Sequence, residues 1–413
     1  MTGIYMANVS EAAIPTIPSK MKKQRLQNAD IFAMMTMAFF VITFVLKALT
    51  DGIFVTQGMK GAITDSKYLT MGGTIFFGLI YMVRHKKNRV FWNEFRKLIT
   101  VALVFLVATL ALIIYQNKYA QWQIRDILNL ITPMIFAYVV LNVLSFEQLF
   151  KGLKIALVIS VIGYIIQLML RGVTFDDIFQ SSFSDSTSPL ESNDFSAIAI
   201  MFCFFFCYYR SSKWMTALAT VYAIATFKRM AIIFAVIAFF FPIMVDRDKK
   251  MPKWTTPIVI GVFFGVAMFY CYLMLPTSTS LQGSLHLNIG KMTMGRSDFL
   301  AALLNRGFQS FGFGSVEASL GHSLEMAFVR MTFELSPIAV LLFINNYWNI
   351  TGRNLYCSLL MVFNFLNLTT ADSISAMFAW AVCYILIGMV VYAHGPAVTA
   401  AKQSRLFAKW QRG

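Results

Sequence analysis

LITVALVFLVATLALIIY, residues 98–115, carries no charged side chain from end to end. Roughly 20 helical residues cross a hydrocarbon core of about 30 Å, so a run of this kind reads as a membrane span. Eleven more apolar runs surround it, at 31–49, 68–83, 127–144, 155–170, 194–209, 214–227, 230–245, 255–275, 326–344, 354–370 and 374–393. The chain is 58% apolar and 13% charged, with mean hydropathy +0.65. Soluble domains average about 25% charged residues, which excludes a single water-soluble core. The expectation is an all-α polytopic membrane protein with about twelve transmembrane helices. The seventh and eighth runs are short, and Lys228-Arg229 separates them with almost no loop, as a tight helical hairpin or one pair of half-buried helices.

Lys and Arg in short loops stay on the cytoplasmic side. That places inside Lys20, Lys22, Lys23 and Arg25; Arg84, Lys86, Lys87, Arg89, Arg96 and Lys97; Lys151 and Lys154; Arg210 and Lys213; Arg247, Lys249, Lys250 and Lys253; Arg353; and Lys402, Arg405, Lys409 and Arg412. Both termini are then cytoplasmic, and the net charge of +16 is mostly topological. Scattered over separate loops without a recognition motif, these charges do not read as a nucleic-acid surface. The organisation expected is a cytoplasmic segment 1–29, one transmembrane domain 30–393 and a basic tail 394–413. The first helix reads as an uncleaved anchor. Cys203, Cys207, Cys271, Cys357 and Cys383 all sit in apolar runs, without zinc-type spacing.

External segments then fall at 50–67, 116–126, 171–193, 228–229, 276–325 and 371–373. Of the two long ones, 171–193 is acidic through Asp176, Asp177, Asp185, Glu191 and Asp194. The other, between the ninth and tenth helices, gathers Lys291, Arg296, Arg306, Glu317 and His322, and is where an anionic substrate should go.

Arg125, Arg171, Lys228, Arg229, Arg296, Arg306 and Arg330 run against the positive-inside trend. A charge at membrane depth costs about 2.5–3.5 kcal/mol on insertion scales and is a functional candidate by default. Arg330 and Glu334 are spaced as an i, i+4 ion pair. His322 and Glu325 fall one turn apart if the tenth helix begins early. Lys228-Arg229 reads either as a snorkelling anchor or as a clamp in which planar Arg229 grips a diphosphate and Lys228 adds a point charge. Arg296 is a second clamp or a partner for Asp298. Gly312-Phe313-Gly314 permits a close backbone approach. Asp246-Arg247-Asp248 sits among Lys249 and Lys250 as a solvated turn, and Asp176-Asp177 lacks further oxygen ligands, so no metal and no cofactor is expected.

In their order these pieces resemble the bacterial O-antigen polymerase and O-antigen ligase superfamily. They are Ser192-Asn193-Asp194-Phe195-Ser196, Thr226-Phe227-Lys228-Arg229, Gly295-Arg296-Ser297, Gly312-Phe313-Gly314, His322-Ser323 and Glu334-Leu335-Ser336-Pro337. The resemblance covers about 190–345, and Arg296 to Gly307 also has the family's spacing of Arg, ten residues, Gly. Ser323 stands where the family has Asn, Ser336-Pro337 where it has Gly, and Ser182 follows Arg171 where Gly is expected.

The resemblance implies an inverting glycosyltransferase of the bacterial cytoplasmic membrane. It would join undecaprenyl-diphosphate-linked oligosaccharides on the periplasmic face, among membrane lipids and with a chain-length regulator as partner. Lys228, Arg229, Arg296 and Arg330 would hold the diphosphate. His322 would take the acceptor proton or orient the acceptor, a task that suits histidine near neutrality. Glu325 and Asp194 stand in reserve, with Asn193, Gly312, Gly314 and Glu334 positioning the acceptor. A ligase to lipid A core, a transporter of an anionic or lipid-linked solute, and an assembly scaffold are the alternatives.

Overall fold

In the computed structural model the described residues are 30–59, 61–85, 89–174, 176–177, 188–210, 212–275, 283, 288–293, 295–371 and 373–393. Expectations on Lys20, Lys22, Lys23, Arg25, Lys86, Lys87, Ser182, Asp185 and the tail 394–413 lie outside them, as does the side chain of Lys291.

The helices are α1 (Ile31–Leu49), α2 (Ala62–Arg84), α3 (Trp92–Gln116), α4 (Gln121–Val143), α5 (Phe146–Leu170), α6 (Asn193–Tyr209), α7 (Lys213–Ala225), α8 (Arg229–Met244), α9 (Thr255–Leu273), α10 (Ile289–Met292), α11 (Arg296–Asn305), α12 (Ser315–Leu320), α13 (Ala327–Glu334), α14 (Pro337–Asn349), α15 (Leu355–Thr370) and α16 (Met377–Ala393). Among the described residues there is no strand, only an isolated bridge between Lys250 and Asn354. By length and composition, five helices among the described residues can cross a membrane: α1 with its following π turn (Thr50–Phe54), α3, α4, α5 and α9. The chain is an all-α, membrane-embedded protein.

Burial sorts these helices. A helix apolar on every side needs cover all round. α6 has it, packed against α5, α7, α8 and α16, with Phe195 through Tyr208 almost entirely buried. α4 is likewise mostly interior, whereas α3 and α9 leave most side chains at the surface, Ile114 and Val262 among them.

Eleven of the twelve apolar runs each correspond to one helix. The tenth, read as one span over 326–344, is two: α13 ends at Glu334 and α14 starts at Pro337. Proline has no N–H to donate and its ring crowds the carbonyl four residues back, while the residue before it is pushed out of the helical region. Ser336 is accordingly extended, and its Oγ caps α14 by accepting from the Ala339 N–H at 3.3 Å. The early start that would pair His322 with Glu325 on one turn does not occur, because Met326 is the N-cap of α13.

At one end of the bundle the 246–254 and 350–354 loops are tied together. The Met251 N–H donates to Arg353 O at 2.8 Å, Leu355 N–H to Lys249 O at 2.9 Å, and Asn354 Nδ2 to Arg247 O at 3.1 Å. Asp246 and Asp248 are used locally: Asp248 Oδ1 accepts from Tyr208 Oη at 2.6 Å, and Asp246 Oδ1 from the Asp248 N–H at 3.0 Å.

At the opposite end, the Gly312-Phe313-Gly314 loop is clasped between α3 and α4. The Phe313 N–H donates to Thr109 Oγ1 at 3.0 Å and Gln123 Nε2 donates to Phe311 O. Gly314 has φ +95°, and a Cβ there would lie 2.9 Å from the Trp122 carbonyl. Both the backbone angle and the space require glycine. Gly314→Ala is expected to cost about 1–3 kcal/mol of stability. An unchanged thermal unfolding midpoint in detergent would refute that.

Candidate functional site

A cavity of about 920 Å³ opens among the helix ends on this side. Its lining comes from the C-terminal ends of α1 and α15 and the N-terminal ends of α2, α4, α6, α8 and α16, with Arg296, Glu317, Ser323 and Glu325 from the long 276–325 segment. The expectation that this segment concentrates the chemistry is therefore only partly met. Most of the charged lining stands on helix ends far apart in sequence.

Six basic and six acidic side chains line the cavity, so it is no plain cationic trap, and an anion must be held by particular groups. Lys228, the residue before α8, donates to Asn193 Oδ1 at 3.0 Å, and Arg229 lines the cavity as the first residue of α8. Phe227, in the left-handed region with φ +55°, makes the turn between α7 and α8 tight enough to hold both cations at the rim. Arg296 pairs with Glu325 and donates to Thr370 O at 3.2 Å, rather than serving as a partner for Asp298. Arg125 lies over the Trp122 ring at 5.0 Å.

Asp194 is positioned through α6. Ser192 Oγ caps that helix, accepting from the Phe195 N–H at 3.3 Å and donating to Gln167 Oε1 at 2.7 Å. Gln167 Nε2 in turn reaches Asp194 Oδ2 at 3.4 Å and Asp51 O at 3.3 Å.

Burial pulls the Lys228 ammonium below the usual lysine range; Glu191, Glu325 and Asp194 oppose that shift and Arg296 adds to it. Lys228 therefore sheds its proton at a lower pH than a solvated lysine does. Anion affinity at the rim is expected to fall as pH rises into the alkaline range, and Lys228→Arg, which stays charged, should flatten that fall. Pyrophosphate titrations at several pH values would check it, and equal slopes for both proteins would count against it.

Arg330 does not line the cavity. It is 1% exposed, and its Nη1 meets Glu317 Oε1 at 2.5 Å and Asp126 Oδ2 at 3.2 Å, while Nε lies 3.7 Å from Glu334 Oε2. Its guanidinium also sits 5.1 Å from the Phe313 ring. The simple i, i+4 pair is thus part of a four-membered buried cluster. Glu334 Oε2 and Oε1 accept from the Gly314 and Val316 N–H groups, each at 2.9 Å. Gly312, Gly314, Arg330 and Glu334 hold Glu317 in place rather than reaching into the cavity.

His322 is outside the lining as well. Its Nδ1 lies 3.0 Å from Ser323 O, and its ring stands edge-on to Phe299 with centroids 4.8 Å apart. Arg306 and Arg171 are exposed away from the lining, Arg171 donating to Glu191 O at 3.0 Å. Asp177 accepts from the Thr174 N–H and Oγ1 at 2.8 and 2.7 Å in a local turn. Among the described residues no group of three or more His, Cys, Asp or Glu is arranged to hold a metal.

Four lining charges escaped the sequence reading: Lys47, Asp51, Lys67 and Asp126. The signal was present, because Lys47 is an ionisable side chain inside the 31–49 run with Asp51 one turn on, the pattern that marks a site at membrane depth. Glu317 was noticed only as part of a polar stretch. In comparisons with family models, curated proteins and solved structures, nothing matches this chain.

Proposed function

We propose that the protein is a membrane glycosyltransferase that polymerises a surface polysaccharide from undecaprenyl-diphosphate-linked oligosaccharides. Twelve spans, the tenth broken at Ser336-Pro337, place both termini in the cytoplasm and open the cavity to the periplasm of the bacterial inner membrane. The observation that carries this reading is the mixed cavity itself. Arg229, Lys228 and Arg296 line it together with Asp194 and Glu325, among further charged, polar and apolar side chains of the surrounding helix ends. No further cofactor enters the reaction, and a chain-length regulator is the protein partner.

In the reaction a hydroxyl of the acceptor sugar attacks the anomeric carbon of the donor. The bond from that carbon to the phosphate oxygen breaks, and its electron pair leaves with the lipid diphosphate. Fixed cations at a low-dielectric boundary stabilise the charge that develops on the leaving group without reorganising at the moment of reaction. Arg229 is the bidentate clamp, with Lys228 and Arg296 beside it.

The hydroxyl proton needs an acceptor within hydrogen-bond reach. His322, turned to Phe299, gives way to Asp194, because Glu325 is already engaged by Arg296 and Asp194 Oδ2 receives only the long contact from Gln167. Asp194→Asn is expected to lower turnover about 10²–10⁴-fold with donor affinity kept. His322→Ala should stay within a few-fold of wild type. The reverse ranking would restore the histidine.

A ligase of the same resemblance uses the same kind of donor, so the acceptor separates the two. Supplying lipid-diphosphate repeat units and lipid A core separately to the purified protein should give product only with the former. Product only with lipid A core would make it a ligase.

A further inference from the structure

One nearly buried charged part of the cavity lining is built from three side chains on two helices and the π turn between them. Lys47 near the end of α1, Asp51 in the turn and Lys67 on α2 are 4%, 4% and 9% exposed, and all three line the cavity. Within the turn Gly52 lies against the Gly163 carbonyl of α5, where a Cβ would come within 2.6 Å of the oxygen. That contact and the extra residue of the π turn aim Asp51 back between the two ammonium groups.

Asp51 Oδ2 lies 2.6 Å from Lys47 Nζ, and Oδ1 takes Lys67 Nζ. One carboxylate thus serves two ammonium groups. Each ammonium has three N–H donors. Lys47 spends one on Asp51 and one on Asp194 O at 3.0 Å, and Lys67 spends one on Asp51. The Phe195 and Phe378 rings cover Lys47 at 5.0 and 5.3 Å, and Tyr68 covers Lys67 at 5.3 Å. Asp194 offers Lys47 its backbone oxygen, while its carboxylate is turned to Gln167. Two nearly buried cations that share one carboxylate in the lining of an open cavity are a preformed receptor for an oxyanion.

We infer that Lys47 and Lys67, held by Asp51, form a second phosphate-type anion site of the cavity, distinct from the rim clamp of Lys228, Arg229 and Arg296. A phosphate group offers several acceptor oxygens to donors from two helices, and it supplies the negative charge that one carboxylate does not. The inference stands on the cavity and not on the polymerase reading: a protein that makes no polymer can still hold two anions. If the polymerase reading also holds, two lipid diphosphates can occupy the cavity together.

The test is calorimetric titration of the purified protein in detergent with inorganic pyrophosphate, on a Lys228→Ala/Arg229→Ala/Arg296→Ala background that removes the rim clamp. One site should remain, and Lys67→Met should then weaken it about tenfold or more, the worth of a charge-assisted hydrogen bond. Lys67→Arg should keep it, which separates loss of charge from loss of fold. Repeating the titration with a short-chain prenyl diphosphate distinguishes the sources: tighter binding than pyrophosphate marks a lipid headgroup, equal binding a free anion, and the site stands with either. No binding on the rim-deleted background, or an affinity that Lys67→Met leaves unchanged, would overturn it.

Discussion

Replacing Arg330 with methionine is expected to destabilise the protein by about 3–5 kcal/mol, the usual cost of removing one partner from a buried ion cluster. The reason is the imbalance around it. Asp126, Glu317 and Glu334 are 3%, 2% and 1% exposed, and Arg330 is the cation that all three face. Without it three carboxylates are left close together away from water, and like charges in that setting repel strongly. The loss should reach the cavity, because Glu334 holds the Gly314 and Val316 N–H groups and Glu317 accepts from Ser323 Oγ at 2.8 Å. Adding Asp126→Asn and Glu317→Gln to Arg330→Met should restore part of the stability. Thermal unfolding in detergent reads both effects. A single variant as stable as wild type would mean that the cluster does not hold the loop, and an additive triple variant would mean that the charges do not interact.

The second large effect concerns the rim. Arg229→Ala is expected to lower product formation by about 10²–10³-fold, the range seen when one preorganised donor to a developing anion is removed. Arg229→Lys should recover only part of it, since an ammonium cannot make the paired, planar contact of a guanidinium. Arg296→Ala should cost less, because Arg296 divides its donors between Glu325 and Thr370 O before any substrate arrives. Each variant should still insert, as neither side chain belongs to the packed interior. Full activity in Arg229→Ala with normal insertion would remove the clamp from the account.

How far the sequence could be read depended on whether a signal was local. A long apolar run is local, and the helices it marks are present, with one exception at Pro337, whose missing N–H and ring break the tenth run in two. The rim cations were legible for the same reason: Lys228 and Arg229 interrupt apolar sequence in a turn too short to be anything but a helix end. What could not be read were the partnerships. Arg330 joins Asp126 across roughly half the chain, and Lys67 shares Asp51 with Lys47 where a π turn lies against Gly163. His322 shows the converse, a residue whose type suggested chemistry and whose packing against Phe299 turned it elsewhere. Residue type names a capability, and only the packing says which cavity it serves.

The central claim is that the cavity joins lipid-diphosphate-linked oligosaccharides. Purified protein in liposomes, given lipid-diphosphate repeat units as the sole glycan, should produce a ladder of progressively longer products on a gel, strongly reduced in Arg229→Ala. A wild-type protein that is inserted and binds the donor, yet yields no product longer than the starting unit, would contradict it.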